Sequence, residues 1–230
     1  EYFHILEFDD DPFNKWEAIQ NIFLDCYRNK KNIPRIILTI RNLLNNKNIS
    51  YSLMALLLDL PARSSFENLF KISDPIKIFY KKQELLYKIG KGLKDIFEKM
   101  ATELHLDDIE NESNIGSRAL LGKVLNYLVC IESKKGITLA KKIATSKNMT
   151  LSVTGIKTLS INNPKIALQY LDKFYSKWNQ NSLVIEKWLE MMSVLNVEGK
   201  GLSFIKDLLS HESFEYKNPN KLRSVLSVFQ

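Results

Sequence analysis

This 230-residue chain has few residues of the kinds that form turns, disulfides or metal sites: eight glycines, six prolines, two cysteines and three histidines. Alternating runs of Val, Thr and Tyr between turn signals hardly occur, which argues against β-sandwiches and β-barrels. No apolar run approaches the roughly 20 residues that a bilayer span requires. We therefore expect a folded, mainly helical protein with no membrane partner.

Chemistry-bearing motifs are also scarce. The histidines at 4, 105 and 211 each stand apart from a second metal ligand at helical or turn spacing. A transition-metal site needs about three or four converging ligands, and the HExxH motif is absent. The segments "GKGLK" at 90–94 and "GKGLS" at 199–203 lack the spacing of a phosphate-binding loop. The sequence thus predicts no catalytic residue, no metal site and no cofactor in this stretch.

The two cysteines and the first residues bear on the compartment. Cys26 and Cys130 each lie inside an apolar helical pattern, as small buried residues in a reducing compartment do. Residues 1–4 lack the basic and apolar segments of an export signal. We expect a cytoplasmic location.

The charge of the chain raises the question of nucleic acid, since the net charge is +7 and the pI about 9.2. Only six of the 33 basic residues are arginine, and the lysines are spread through every segment. Dispersed lysines are typical of solvated helix faces rather than of one phosphate-binding surface. We therefore expect no nucleic-acid partner.

Helix starts are marked by Asp or Asn followed by proline, at 11–12, 74–75, 163–164 and 218–219. The side-chain oxygen caps free N–H groups, and proline suits the first helical position because its missing N–H has no partner there. After Pro75 an apolar pattern that includes Ile78 and Phe79 continues to Leu104. It predicts one helix of about 30 residues, about 45 Å long, with Gly90 and Gly92 as points of bending.

Shorter helical patterns follow the same spacing. Besides the helices after Pro12 and Pro75, they cover 34–45, 49–59, 117–131, 136–146, 150–160, 164–177, 183–195, 201–210 and 219–229. About eleven helices joined by short loops must pack as antiparallel neighbours, which predicts an all-α, α-solenoid-like superhelix. The acidic loop at 106–117 divides this single domain into two lobes, about 1–105 and 117–230.

Two tryptophans stand out in "KWNQNSLVIEKW" at 177–188. Trp178 closes one predicted helix, and Asn181 or Ser182 caps the next. Trp188 falls on the apolar stripe of that second helix. We predict that the indoles lock a corner between the two helices.

Several stretches together resemble a known family. They are "DDDPFNKWEAIQ" (9–20), "LFKISDPIKI" (69–78), "KNMTLSVTGIKTLS" (147–160), "KWNQNSLVIEKW" (177–188) and "HESFEYKNPNKLRSVLSVF" (211–229). In this order they resemble the C-terminal helical domain of bacterial aminopeptidase N, the alanyl aminopeptidase type of zinc metallopeptidase. The resemblance covers nearly the whole chain.

That resemblance implies that the chain is part of a larger zinc-dependent aminopeptidase. In the family, an upstream HExxH motif and a following glutamate hold the zinc. The resemblance therefore implies a non-catalytic domain, inactive alone, whose partners are the parent's catalytic domain and peptide substrates. It encloses the active-site cavity and controls peptide access. The family chain continues beyond the segment that matches Phe229, so we expect the last helices to be absent here.

One candidate site residue follows from the resemblance. The arginine of the family's Asn-Pro-Asn-x-x-Arg segment matches Arg223 and looks like a residue that lines the substrate channel. The alternative for Arg223 is an ordinary surface arginine or a structural pairing between helices. The family usually has Arg-Glu where this chain has Lys82 and Gln83, which puts any ion pair of that arginine in doubt.

A function of another class remains open. The chain could be a free-standing helical scaffold that binds protein or nucleic acid through a concave face. The parent's upstream sequence distinguishes the two, since a scaffold needs no HExxH motif.

Overall fold

The computed structural model describes residues 1–72, 74–104 and 114–229, with side chains to residue 227. Over these residues it contains fourteen α-helices, a 3₁₀ turn at Lys30–Asn32 and no strand. The helices are α1 (Tyr2–Phe8), α2 (Pro12–Arg28), α3 (Ile33–Asn45), α4 (Tyr51–Leu57), α5 (Arg63–Glu67), α6 (Pro75–Gly92), α7 (Lys94–Glu103), α8 (Ile115–Cys130), α9 (Lys134–Ala144), α10 (Met149–Asn162), α11 (Pro164–Trp178), α12 (Ser182–Ser193), α13 (Gly201–Leu209) and α14 (Pro219–Phe229). The all-α prediction is confirmed. None of the described helices is both long and apolar enough to cross a bilayer.

All four Asp/Asn–Pro pairs start a helix as predicted, with proline as the first helical residue. The Asp11 side chain accepts the N–H of Phe13 at 2.7 Å, and the Asp74 side chain accepts that of Lys77 at 3.0 Å. Asn163 makes no such side-chain bond within the described structure. Proline and the local backbone therefore suffice to start α11 there.

The prediction of one long helix after Asp74–Pro75 is wrong. The segment forms two helices, α6 and α7, which meet at Leu93 (φ −114°, ψ 11°). Arg41 on α3 donates to the Gly92 carbonyl at 2.9 Å and to the Asp95 carboxylate at 2.6 and 2.7 Å. These hydrogen bonds lower the pKa of Asp95 to about 2. Arg41 thus ties α3 to the junction and gives a carbonyl at the end of α6 a charged donor.

Two short helices, α1 and α5, were not predicted. Together with the division of the long helix, they explain why the structure has fourteen helices where about eleven were predicted. Helix α1 buries only Phe3 and Leu6, and α5 buries only Phe66. So few buried positions show too little of the apolar spacing to reveal a helix.

Contacts among the described residues divide the chain into two compact units, Glu1–Gly136 and Ile137–Gln230. In the first unit α8 packs against α4, α6 and α7. Tyr127 on α8 is buried, stacks on Phe97 with ring centroids 5.2 Å apart, and donates a hydrogen bond to the Leu58 carbonyl at 2.9 Å. The predicted break at 106–117 lies mostly outside the described residues, which omit 105–113.

The second unit is organised around α12, which contacts α10, α11, α13 and α14. Its fully buried side chains include Leu151, Leu159, Leu171, Leu189 and Val225, one or two from each of four helices. Helices that share buried residues in this way hold each other in place. This packing fixes which face of α14 stays in solvent.

The two cysteines are buried or partly buried thiols on separate helices, Cys26 on α2 and Cys130 on α8. Burial raises the pKa of Cys26 to about 12 and that of Cys130 to about 11. Both therefore stay protonated at neutral pH, and neither is a ready nucleophile.

Candidate functional site

Arg223, the one residue predicted to contact substrate, lies on α14. The Asn218 side chain caps this helix by accepting the N–H groups of Asn220 at 3.0 Å and Lys221 at 3.2 Å. The Arg223 side chain is exposed, and it makes no hydrogen bond or ion pair with the described part of the chain.

Helix α14 is held by its opposite side. Val225, two residues after Arg223, is fully buried. Residues two apart lie on nearly opposite sides of a helix, so burial of one leaves the other in solvent. Ser193 at the end of α12 donates to the Leu189 carbonyl at 2.7 Å and lies 3.5 Å from the Ser224 carbonyl. This packing positions α14 against α12.

Three aromatic rings support the segment that leads into α14. Tyr175 on α11 lies 4.7 Å from Trp188 on α12, between ring centroids, and His211 lies 4.9 Å from Trp188 and 5.1 Å from Tyr175. Trp188 is only 5% exposed, so this aromatic cluster is part of the core rather than a surface for stacking bases. Through His211, the cluster anchors the segment that follows α13 to Tyr175 on α11 and Trp188 on α12.

Hydrogen bonds extend the cluster into that segment. The Tyr175 hydroxyl lies 3.0 Å from a Glu212 carboxylate oxygen and 2.9 Å from the Ser213 hydroxyl. His211 Nδ1 accepts the N–H of Ser213 at 3.1 Å. The segment at 211–213, which precedes α14, is therefore held by a cluster that the local sequence pattern did not reveal. The only sequence signal was the tryptophan on an apolar stripe.

One partly buried ion pair lies elsewhere in the same unit. The amine of Lys157 on α10 lies 2.5 Å from a carboxylate oxygen of Glu190 on α12, and that of Lys187 lies 3.5 Å from the other oxygen. Burial pushes the pKa of Glu190 up, but the bonds and charges of the two lysines outweigh it and hold the pKa below its ordinary value. The pair ties α10 to α12 and leaves no free carboxylate for acid–base chemistry there.

Nowhere in the described ranges do three or more His, Cys, Asp or Glu residues come together in a way that could hold a metal ion. What the arrangement around Arg223 can do is bind: a guanidinium presents several donors in a plane that matches a carboxylate or a peptide carbonyl.

Lys82, one of the two positions where the sequence departs from the family pattern, has a structural role in the first unit. The Lys82 amine donates to the Pro61 carbonyl at 2.8 Å and lies 5.5 Å from the centre of the Phe66 ring. Burial lowers the pKa of Lys82, and the charge of Asp59 works against that change. A lysine–carbonyl hydrogen bond thus ties α6 to the loop after α4.

Comparison with known proteins identifies the family. A family model described as a domain of unknown function with ARM repeats, DUF3458_C, matches residues 1–230. The chain belongs to the DUF3458_C family. ARM repeats are stacked helices, so membership agrees with the all-α architecture and with the predicted α-solenoid class.

Curated relatives of this DUF3458_C chain are aminopeptidases. Aminopeptidase N of Haemophilus influenzae is 27% identical over 242 residues, which cover 98% of this chain and 27% of the relative. Aminopeptidase N of Escherichia coli is 25% identical over 95% of this chain and 26% of its own length. The predicted resemblance to aminopeptidase N is confirmed, and the chain spans about a quarter of the length of these relatives.

A solved structure supports the fold. The crystal structure of Legionella pneumophila aminopeptidase A in complex with aspartic acid matches with a TM-score of 0.85 at 20% identity. The match covers 99% of the DUF3458_C chain and 29% of that protein. The helical arrangement is therefore one that also occurs within a larger aminopeptidase.

Proposed function

We propose that this chain is the non-catalytic C-terminal helical domain of an aminopeptidase N-like zinc metallopeptidase, in which it encloses the active-site cavity and controls peptide access. The supporting observation is the match to aminopeptidase N along 95–98% of this chain but only 26–27% of the relatives. A match of this kind is expected for one domain of a larger enzyme. The proposal includes a cytoplasmic location, which two unbridged cysteines favour.

The proposal assigns the zinc and the reacting groups to the rest of the parent polypeptide. Among the described residues no side-chain group could hold the ion. The role of this domain is then to form part of the wall of the active-site cavity. An enclosed cavity admits peptides and unfolded chain ends, and it keeps bulk water from the charged transition state.

Arg223 has a specific part in this proposal: its guanidinium binds a carbonyl or the C-terminal carboxylate of the peptide beyond the cleaved bond. The exposed side chain, without a described partner, is consistent with that role. A bidentate guanidinium–carboxylate pair adds orientation as well as affinity. Peptides that end near Arg223 would then be held in one register.

The domain assignment predicts where activity resides. Residues 1–230 alone should not hydrolyse an alanyl chromogenic amide, whereas the full-length parent should do so and lose the activity on zinc removal. The assay is turnover by both proteins, before and after chelation and after zinc is restored. Zinc-dependent turnover by residues 1–230 would refute the proposal. A parent gene without an upstream HExxH would favour the free-standing scaffold instead.

The role of Arg223 predicts a selective kinetic effect. In the parent, Arg223→Ala should lower kcat/KM for short peptides with a free C-terminus by about 10- to 100-fold, since a hydrogen bond to a charged group contributes about 1.5–3 kcal/mol. Beyond the cleaved bond the alanyl amide has only its chromogenic amine, with no peptide carbonyl and no carboxylate for Arg223 to bind, so its kinetics should not change. Lys221→Ala on the same helix is the matched control. Equal kinetics for wild type and Arg223→Ala across peptide lengths would leave the arginine structural.

A further inference from the structure

Helix α6 has an apolar stripe in solvent as well as one in the core. Its buried side carries Ile78, Leu85, Leu86 and Ile89. A second set, Ile76, Phe79, Tyr80 and Tyr87, is exposed at 71%, 55%, 68% and 43%. Steps of three, four and seven residues keep this second set on one face. We call these four residues the α6 stripe.

The third side of α6 is basic. It carries Lys77, Lys81, Lys88 and Lys91, again at helical spacing, with Glu84 as the one acid among them. Glu84 is already paired, since it lies 2.6 Å from the Lys30 amine and 2.8 Å from that of Lys88. A row of lysines with a net positive charge therefore runs beside the α6 stripe.

Four large apolar side chains on one exposed face are unusual for a surface that stays in water, and such patches mark interaction sites. Apolar residues at these spacings are also the anchors by which a helix packs on a partner. The lysine row specifies the partner's charge, because carboxylates opposite it would be attracted and a second lysine row would be repelled. A symmetric contact between two copies that sets one lysine row against the other is thus disfavoured.

We propose that the α6 stripe and its lysine row form the surface on which another part of the same parent polypeptide docks, through apolar side chains bordered by carboxylates. About three quarters of the length of the aminopeptidase N relatives lies outside the match to this chain, which provides such an occupant. This inference rests on the proposed function, which makes the chain one domain of a larger enzyme. It adds which surface joins that domain to the rest.

The test is side-chain oxidation of the intact full-length parent by hydroxyl radicals, read residue by residue by mass spectrometry. Phe79 and Tyr80 should be protected about tenfold or more relative to the urea-unfolded parent, because docked anchors are fully desolvated. Protection below about twofold, as expected for side chains that are more than half exposed, would overturn the proposal.

Charge is tested by one variant and its control. Lys77→Glu in the parent should place like charges opposite each other and raise the oxidation of Tyr80 severalfold, while Lys47→Glu, an exposed lysine in the loop after α3, should not. Unchanged protection in Lys77→Glu would overturn the carboxylate component of the surface.

Other occupants give different results, and each would overturn the proposal. Protection that disappears on dilution would identify a second copy. Protection that requires vesicles of phosphatidylcholine with about 30% phosphatidylserine would identify an anionic membrane. The alanyl amide assay on the same preparation separates the two proposals. Zinc-dependent activity together with an exposed α6 stripe would contradict only the docking surface. A protected α6 stripe without activity would contradict only the assignment as an enzyme domain.

Discussion

Replacement of Trp188 by alanine is expected to lower the free energy of unfolding of the Ile137–Gln230 unit by about 3–5 kcal/mol, the range for loss of a buried tryptophan. The indole is 5% exposed and contacts two other rings, Tyr175 and His211, at centroid distances of 4.7 and 4.9 Å. A cavity at this point would remove packing from α11, α12 and the segment before α14 together.

The matched control is the second tryptophan of the same stretch. Trp178 is half-buried at the end of α11, and the amine of Lys177 lies 5.0 Å from its ring centre. Because Trp178 is only half-buried and Trp188 is almost fully buried, Trp178→Ala should cost less unfolding free energy than Trp188→Ala.

The measurement is hydrogen exchange as a function of urea concentration, followed on peptides from residues 137–230. It reports this unit without requiring that the two units unfold together. Equal losses for Trp188→Ala and Trp178→Ala would contradict the assignment of Trp188 as the centre of the aromatic cluster.

The tryptophan pair shows which parts of the fold the sequence could predict. The end of α11 at Trp178 and the cap of α12 are as predicted, with the Asn181 side chain accepting the Val184 N–H at 3.3 Å. Caps and helix starts depend on residues a few positions apart, so a local pattern contains them. Burial of Trp188 followed from helical spacing for the same reason. Its partner His211 lies beyond α13, and no local spacing relates the two.

The division of the long helix at Leu93 lies next to Gly92, which is one of the two predicted points of bending. The hydrogen bond that Arg41 makes to this junction from α3 could not be read from the local pattern. Phe79 belongs to the apolar run after Pro75, yet it is 55% exposed while its neighbour Ile78 is buried. Adjacent residues are about 100° apart on a helix, so one narrow face does not bury both. Which of two apolar stripes faces the core is decided by neighbouring helices.

The candidate site was predictable only through the family resemblance. Nothing in the spacing of residues 218–223 identifies Arg223 as a binding residue, because a single arginine on a helix is ordinary. The structure adds that the Asn218 cap of α14 is formed and that the Arg223 side chain is exposed, with no partner among the described residues. The groups that would face it in the proposed enzyme belong to other parts of the parent.

Gly155→Ala is the second substitution with a large expected effect, a loss of about 1–3 kcal/mol in the unfolding free energy of the same unit, which is typical of overpacking. A Cβ at this position of α10 would lie 2.7 Å from the Ala140 carbonyl oxygen and 2.7 Å from the Ala144 nitrogen, both on α9. Backbone atoms at this distance cannot turn aside as a side chain can. The two helices would have to separate, and the Ser152 hydroxyl, which donates to the Ala144 carbonyl at 2.8 Å, resists that movement.

The sign of this effect separates packing from helix propensity. Alanine is favoured over glycine inside a helix by about 0.8–1 kcal/mol, so without the close approach to α9 the substitution would stabilise the unit. Gly201→Ala, at the first residue of α13, is the control, since its nearest neighbour would be the Leu195 carbonyl oxygen at an ordinary 3.4 Å. Exchange of the peptides from residues 137–230 in urea should show a loss for Gly155→Ala and no loss for Gly201→Ala. A gain in stability for Gly155→Ala would mean that α9 and α10 lie too far apart for a Cβ at 155 to meet the α9 backbone, and that the small residue at 155 is not required for their contact.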